Sequence, residues 1–578
     1  MGLSLPAAAS AQDLRLSLPN TDLAARLRGE ALVFQAEDDA TNADLVATAR
    51  GDYERILAAL YDEGYFGATV SIRMNGREAA GLSAFSAPAT VTPIEIAVDV
   101  GSRFRFGRAD ISPRAPGSAA SEDFRPGAIA STGAIRGAAG RAIDDWRAAS
   151  HAKARITGQD VTARHTASEL DVALTIVPGP ALTFGDLVVP ADATVRPERI
   201  RTIAGLPKGQ PFTPAAVDKA RARLVSTGTF ASVVAREAVN PNTDGSLDIE
   251  LDLEAAPLRR LGFGAEISSN EGVSLEAFWL HRNIFGGAER LRFDASVSGI
   301  GGDSGGIDYA LSSLLSIPGF RRADDTLDIS IAFERLDEPA FEERLVEIGV
   351  RRSRQVNENT EAGVYLGYRG SESTDAFGSR EFQHFIISVD ASLDLRDDSL
   401  NPTSGYFLVA EVQPFIGFSG SETGVILSGD ARAYRALGDR TVIAGRFQLG
   451  SIQGASVEGT PPDFLFFSGG GGSVRGQGFQ SLGVVSNGST IGGQSFAGAS
   501  LEVRRDITES IGVVGFLDYG YIAEEGNFEN GKDHAGVGIG VRYNTTLGPL
   551  RVDVGVPLGD ASDPDTSYGL YIGLGQSF

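Results

Sequence analysis

The feature that most restricts the fold is an alternation of apolar and polar residues through the C-terminal half of the sequence, from about Arg259 to Phe578. The segment 327–334 reads LDISIAFE, and the segment 385–396 reads FIISVDASLDLR. Charged residues occupy one parity, whereas the other parity is almost free of charge. A soluble sandwich also alternates. However, segments of about ten residues with this charge distribution are typical of strands that cross a bilayer in a closed barrel.

The length of this region predicts the number of strands. At roughly 20 residues per strand with its connection, a region of about 320 residues corresponds to about 16 strands, and bacterial barrels take even numbers. The last segment, 568–578, alternates to its end. Its outward parity consists of Tyr568, Leu570, Ile572, Leu574, Gln576 and Phe578. We therefore predict a 16-stranded antiparallel transmembrane β-barrel over residues 258–578.

The N-terminal half contains a repeat. Three segments each read as an alternating strand, a short break and a second strand with a Phe-Gly pair: 94–107, 170–185 and 247–264. Amphipathic helical segments precede these strands at Tyr53–Leu60, Ala142–Ala149 and Pro214–Ser226. Near-equal spacing and a common element order favour three small α+β domains over one larger domain. We expect these domains at residues 13–102, 103–180 and 181–257.

Residues 1–12 stand apart from the repeat. Ala9-Ser10-Ala11 fits a small-x-small signal-peptidase site, but a basic region and a longer apolar stretch are missing. The segment is therefore either the remnant of a secretory signal peptide or a flexible tail. A secretory signal would take the protein out of the cytoplasm.

Composition and motifs exclude several functions. The net charge of −24 repels phosphate backbones, so we expect no nucleic-acid partner. Cysteine is absent, and none of the five histidines lies at a metal-ligand spacing from another. The glycine tract 469–472 lacks the Gly-Lys-Ser/Thr of a phosphate loop. We therefore expect neither an enzyme nor a bound metal or cofactor.

Several motifs resemble those of the outer-membrane assembly superfamily, in which POTRA domains precede a 16-stranded barrel, as in BamA. The most specific is 472–479, GSVRGQGF, where the family has a V-R-G-(F/Y) loop. This chain has Gln477 at the usual aromatic position and Phe479 two residues later. Segments 394–406 and 279–286 resemble the strand-turn-strand signature and the early N-(L/I)-F-G turn. The ending, 548–553 and 570–578, resembles the TamA branch.

The resemblance implies a role for Arg475. In the family this loop, here represented by Val474, Arg475, Gly476 and Phe479, folds into the lumen, and its arginine pairs with acids on the inner wall. The matching positions are Glu502 and Asp518, which the alternation independently places inside. Arginine suits this role because its planar fork bonds two carboxylates and keeps its proton.

The resemblance also implies a function. We expect an assembly factor in the outer membrane of a Gram-negative bacterium, with POTRA domains in the periplasm, that helps insert autotransporters and other β-barrel proteins without nucleotide. Exposed POTRA edges would accept client strands by β-augmentation. The seam between a first strand near 261–268 and the terminal strand Tyr568–Phe578 would open laterally, because Gly569, Gly573 and Gly575 weaken the latter.

The implied partners are a TamB-like periplasmic protein anchored in the inner membrane, unfolded outer-membrane proteins and outer-membrane lipid. A BamA-type assembler typically carries five POTRA domains, and a secretion transporter for a dedicated partner has two with a plug helix. This sequence suggests three domains and no plug. A simple porin would not need the long N-terminal half. A role in lipid transport remains open.

Overall fold

The computed structural model describes residues 14–17, 21–36, 40–268, 272–302, 305–486, 488–545, 548–559 and 567–578. The expected signal-peptide remnant at residues 1–12 lies outside these ranges. The chain divides into two compact units. One unit comprises the residues up to 186 with 207–217 and 237–249, and the other comprises 187–206, 218–236 and 250–578.

Three successive α/β segments precede the barrel. The first contains β1 (Leu14–Ser17), α1 (Thr21–Glu30), α2 (Asn42–Asp62), β2 (Thr69–Met74), β3 (Arg77–Glu78) and β4 (Ile94–Asp99). The second contains β5 (Arg105–Ser112), α3 (Thr132–Ala148), β6 (Arg155–Arg164) and β7 (Glu169–Val177). The third contains β8 (Thr183–Val188), α4 (Pro197–Ala204), α5 (Pro214–Ser226), β9 (Phe230–Glu237) and β10 (Ser246–Ala255).

Each segment has a sheet in which the last long strand lies between two other strands. The strand orders are β1-β4-β2-β3, β5-β7-β6 and β8-β10-β9. Parallel pairs β1–β4 and β5–β7 adjoin antiparallel pairs β2–β4 and β6–β7. These sheets fit POTRA-like domains, as predicted, while the domain boundaries stay predictions. None of the helices in the described ranges has both the length and the apolar composition to cross a membrane.

The core of the first segment shows why its helix docks there. A capping box between Thr41 and Asp44 starts α2 and satisfies its first backbone donors. The helix buries Ile56 and Leu60 in the same cluster as Ile72 on the sheet. The helical period of 3.6 thus places one apolar face of α2 against the apolar face of the sheet.

Within the described residues, sixteen antiparallel strands close into a barrel, which confirms the predicted fold. The strands are β11 (Arg259–Ser268), β12 (Gly272–His281), β13 (Arg290–Ile300), β14 (Asp308–Pro318), β15 (Asp325–Glu338), β16 (Phe341–Asn357), β17 (Thr360–Asp375), β18 (Gly378–Asp394), β19 (Gly405–Gly417), β20 (Gly424–Ala436), β21 (Thr441–Gln453), β24 (Ser495–Asp506), β25 (Ile511–Ala523), β26 (Lys532–Thr545), β27 (Gly548–Leu558) and β28 (Gly569–Leu574). A hairpin of β22 (Val484–Ser486) and β23 (Ser489–Ile491) lies in the long loop between β21 and β24.

The alternation seen in the sequence separates the two faces of the barrel wall. On β26 and β27, Val541 faces Val552 and both are exposed on the outer surface. Their neighbours Arg542 and Asp553 are buried on the inner side. An apolar exterior and a polar interior are what a membrane barrel requires.

The barrel closes through a very short pairing. β11 pairs with β12 along all of its ten residues. Among the described residues it pairs with β28 at two positions, Ile267 opposite Ile572 and Ser268 opposite Tyr571. The backbone ladder is therefore weakest at this junction, which we call the seam.

The terminal strand is shorter than the sequence predicted, and the expectation that Gly575 and Phe578 belong to it is wrong. β28 ends at Leu574. Gly575 has a φ of 91°, a left-handed conformation that interrupts a strand, and its N–H donates to Pro549 O at 2.7 Å. Beyond this turn the alternation of apolar and polar residues no longer indicates which side of the barrel wall a residue occupies. Phe578 is buried rather than facing lipid.

Candidate functional site

The long loop between β21 and β24 brings its V-R-G segment against the inner wall. Val474, Arg475 and Gln477 are 0%, 2% and 0% exposed. Gly476 has a φ of 97°, so a residue with a side chain would be strained in this turn. A nearly complete burial of an arginine in a loop requires compensating partners.

Arg475 has these partners on strands β24, β25 and β27. Its Nε and Nη2 donate to the two carboxylate oxygens of Asp518 at 2.7 and 3.0 Å. Its Nη1 donates to Glu502 Oε1 at 2.7 Å and to Asp553 Oδ2 at 3.3 Å. The ring of Phe516 lies 3.6 Å from the guanidinium carbon, an arrangement that suits a cation over an aromatic face. The structure thus brings Arg475 together with both acids matched from the sequence.

Charge balance explains why the loop stays in the lumen. Burial opposes the charge of Arg475, but the hydrogen bonds and the negative charges of Asp518, Glu502 and Asp553 outweigh burial and raise its pKa above the ordinary value. The side chains of Glu502, Asp518 and Asp553 are at most 1% exposed. Removal of the arginine would leave these acids buried beside one another, which is costly.

Wall glycines provide the space in which the loop lies. A Cβ on Gly536 of β26 would collide with the carbonyl oxygen of Arg475, and one on Gly555 of β27 would lie 2.9 Å from Gly476 N. A Cβ on Gly520 of β25 would meet Ser468 and Val474. Three adjacent strands therefore carry glycine where the backbone or the side chains of the loop lie against them, and we call these three residues the glycine bed.

The position of Gln477 is filled by a polar contact. Its side chain donates from Nε2 to Ala535 O at 2.7 Å, beside the glycine bed. Phe479 is half-buried further along the loop. The amide thus binds the wall backbone at the position where the family usually has an aromatic residue.

A comparison with protein families matches residues 283–578 to the Omp85 superfamily domain. The chain belongs to the Omp85 superfamily. Its fold is similar to that of BamA from Haemophilus ducreyi lacking POTRA domains 1–3, with a TM-score of 0.63 and 17% identity over 82% of this chain and 100% of that one. CdiB from Acinetobacter baumannii gives a TM-score of 0.51 and 13% identity over 82% of this chain and 90% of that one. At such identities the similarity concerns the fold.

The seam of this Omp85 chain carries a side-chain bridge. Arg551 on β27 donates from Nη2 to Glu266 Oε1 on β11 at 3.2 Å. The intervening strand β28 presents Gly573, where a Cβ would lie 3.0 Å from Arg551 Nε and 3.5 Å from the Glu266 carboxylate. The glycine predicted as a weak point thus also provides the room through which an ion pair spans the last strand.

The other predicted seam residues differ in position. Tyr568 precedes β28 and is 57% exposed. Gly569 is buried on the same parity as Tyr571, whose hydroxyl accepts a hydrogen bond from Gly476 N at 3.1 Å. Gly575 and Phe578 lie beyond the strand.

A second contact holds the loop of this Omp85 chain to other strands. Asp463 in the loop accepts a hydrogen bond from Arg369 Nη2 of β17 at 2.5 Å, and Arg369 also donates to Glu343 of β16 at 3.2 Å. The ring of Phe464 lies 4.8 Å from the guanidinium carbon. Burial raises the pKa of Asp463 to about 7, with a further rise from Glu343, against a lowering by Arg369.

Sequence reasoning did not identify Asp553 and Phe516 as partners of Arg475. It also missed the glycine bed and the contact of Arg369 with Asp463 and Glu343. Asp553 stands on the inward parity of RVDVGV, so the alternation marked it as lumenal. Many inward residues share that property, however, and nothing local distinguishes the one that faces Arg475. Glycines in strands are read as weak points until the loop that lies on them is known.

Proposed function

We propose that this Omp85 protein is an outer-membrane assembly factor of the TamA type. Its barrel lies in the outer membrane, and three POTRA domains at about 13–102, 103–180 and 181–257 extend into the periplasm. It helps autotransporters and other β-barrel proteins insert, without nucleotide, by offering a strand edge to the incoming chain. A TamB-like protein anchored in the inner membrane would be its partner.

The observation that supports this proposal most directly is the two-residue pairing between β11 and β28. Strand edges expose unpaired backbone donors and acceptors, which an incoming strand can satisfy by β-augmentation. The junctions on either side have six residue pairs (β27–β28) and ten (β11–β12), so separation of the strands costs least at this seam. The energy for insertion would come from folding of the client itself.

An engineered disulfide tests the seam. Ile267 and Ile572 are opposite each other and partly exposed on the outside, and the natural chain contains no cysteine. We expect the I267C/I572C protein to lose autotransporter assembly when oxidised and to regain it after reduction. A matched control is V541C/V552C, a facing pair in the fully paired β26–β27 hairpin, where oxidation should leave assembly unchanged.

Normal assembly by the fully oxidised seam variant would overturn lateral opening as the mechanism. Depletion of the protein followed by an outer-membrane proteome separates the remaining functions. Selective loss of autotransporters and other barrels supports assembly. Loss of one secreted partner alone would favour a transporter, and a change in outer-membrane lipid with normal protein content would favour lipid transport.

A further inference from the structure

The segment that follows β28, which we call the tail (residues 575–578), is held inside the barrel by two arginines. Arg504 of β24 donates from Nη2 to Phe578 O at 3.0 Å, and its guanidinium carbon lies 5.4 Å from the centroid of the Phe578 ring. Arg542 of β26 donates from Nε to Gln576 Oε1 at 2.9 Å. Both arginines are buried, so their positions depend on the carboxylates beside them.

Those carboxylates are also ligands of the loop arginine. Glu502 accepts from Arg475 Nη1 through Oε1 at 2.7 Å and from Arg504 Nε through Oε2 at 2.8 Å. Asp553 accepts from Arg475 Nη1 through Oδ2 at 3.3 Å and binds Arg542 through both of its oxygens. Each carboxylate therefore joins the loop to one of the arginines that hold the tail.

A third link reaches the seam itself. Gly476 N donates to the hydroxyl of Tyr571, and the backbone of Tyr571 is opposite Ser268 in one of the two pairs that close the barrel. In the described part of the chain Arg475 contacts neither Gln576 nor Phe578. The connection between loop and tail runs through the shared carboxylates.

We propose that the loop and the tail act as one coupled unit: Arg475, through Glu502–Arg504 and Asp553–Arg542, keeps the tail turned into the lumen and thereby limits how far the last strand pairs with the first. Displacement of the loop would remove one of the two cations from Glu502 and from Asp553, and would thereby shift Arg504 and Arg542 together. The released tail could then lengthen β28 and alter its pairing at the seam. This inference concerns the regulation of the seam and rests on the proposed function.

The physical basis is the sharing of buried charges. A buried carboxylate between two arginines is balanced by both, so the loss of one changes the position and hydration of the other. Two such bridges act in parallel, and hydrogen bonds to charged groups are the strong ones. A change at Arg475 should therefore reach the tail, although the two do not touch.

The test measures the tail in purified full-length protein in detergent. Ser577→Cys places a single thiol beside Phe578, at a half-buried position, and its labelling rate by a maleimide reports tail release. We expect Arg475→Gln to raise this rate by about tenfold, which is the effect expected for the loss of one charge-assisted contact. Arg504→Gln should do the same, and the double variant should be no faster than the faster single variant.

Arg351→Gln is the matched control, since Arg351 binds Asp390 and Glu361 and neither of the carboxylates that join the loop to the tail, and it should leave the rate unchanged. Heat-modifiable migration on gels shows whether each variant is folded. Should Arg475→Gln not fold, Gly536→Ala displaces the loop backbone while it keeps every charge, and it should raise the rate too.

An unchanged rate in folded Arg475→Gln or Gly536→Ala would overturn the coupling, as would fully multiplicative effects in the double variant. This readout does not use assembly activity. Failure of the seam disulfide to block assembly would refute lateral opening as the mechanism of the proposed function, whereas a labelling rate of the tail that does not respond to the loop variants would refute the coupling alone.

Discussion

The junctions β17–β18 and β28–β11 are both parts of one closed barrel, yet they are held together differently. All sixteen residues of β17 pair with β18, so a continuous backbone ladder secures that wall. β28 and β11 share two residue pairs, and side chains inside the lumen supply the other contacts at this junction. Tyr571 binds the loop, and Arg551 binds Glu266. A ladder is independent of side chains, whereas this junction can be changed by single substitutions.

The largest effect is expected for Arg475→Ala. The substitution leaves Glu502, Asp518 and Asp553 buried without their common cation, at a cost of about 3–5 kcal/mol. The loop should loosen, the unfolding midpoint in detergent should fall, and autotransporter assembly should decline. Arg351→Ala, in a more exposed ion pair of the long-laddered wall, should have a much smaller effect. A stable, fully active Arg475→Ala protein would contradict this role of the loop arginine.

The glycine bed should give the next largest effect. Gly536→Ala forces the loop backbone away from β26, and overpacking of this kind costs about 1–3 kcal/mol. Gly515→Ala on neighbouring β25 is the matched control, because a Cβ there meets nothing within 4 Å. Protease cleavage of the loop and thermal unfolding measure the difference. Equal behaviour of the two alanine variants would show that the loop does not need this bed.

The Asp463 contact should make loop attachment depend on pH. Its pKa is raised from 3.8 to about 7, so the native state holds a proton that the unfolded chain releases. This stabilisation is complete below about pH 4 and is lost as the pH rises through about 7, with a slope of at most about 1.4 kcal/mol per pH unit. Loop protection against protease between pH 5 and pH 8 measures it, and Asp463→Asn should flatten the profile.

Asp397, in the turn between β18 and β19, is the control of opposite sign. Burial works against its charge, but hydrogen bonds from Thr403 and Ser404 lower its pKa to about 2. Its contribution is therefore present above about pH 4 and lost only as the pH falls towards 2. Asp397→Asn should leave the profile between pH 5 and pH 8 as it is. A profile that survives Asp463→Asn would assign the pH dependence to another group.

Structural features that recur along the chain can be predicted from the sequence, whereas features that depend on a single position cannot. Alternation recurs in every strand, so sixteen strands with a polar interior were predictable, as was the lumenal side of Glu502 and Asp518. The end of β28 depends on a single left-handed glycine, Gly575, and on one hydrogen bond to Pro549. The residues after it alternate as if the strand continued. The path of the loop determines which inward acid contacts Arg475 and which glycines lie beneath the loop. No local sequence pattern predicts that path.

The smallest effect is expected at the ion pair that spans the seam. Glu266 is 57% exposed, so its pair with Arg551 should contribute less than about 1 kcal/mol and should weaken with salt. In I267C/I572C protein, Glu266→Gln should slow disulfide formation by less than about fivefold, because the strands meet less often. Added salt should slow disulfide formation in the I267C/I572C protein and leave the rate of its Glu266→Gln variant unchanged. Disulfide formation in V541C/V552C should respond neither to salt nor to Glu266→Gln. If neither the substitution nor salt changed the rate of disulfide formation, the two residue pairs and the Tyr571 contact would be sufficient to hold the seam. Gly573 would then be needed for flexibility rather than to make room for an ion pair.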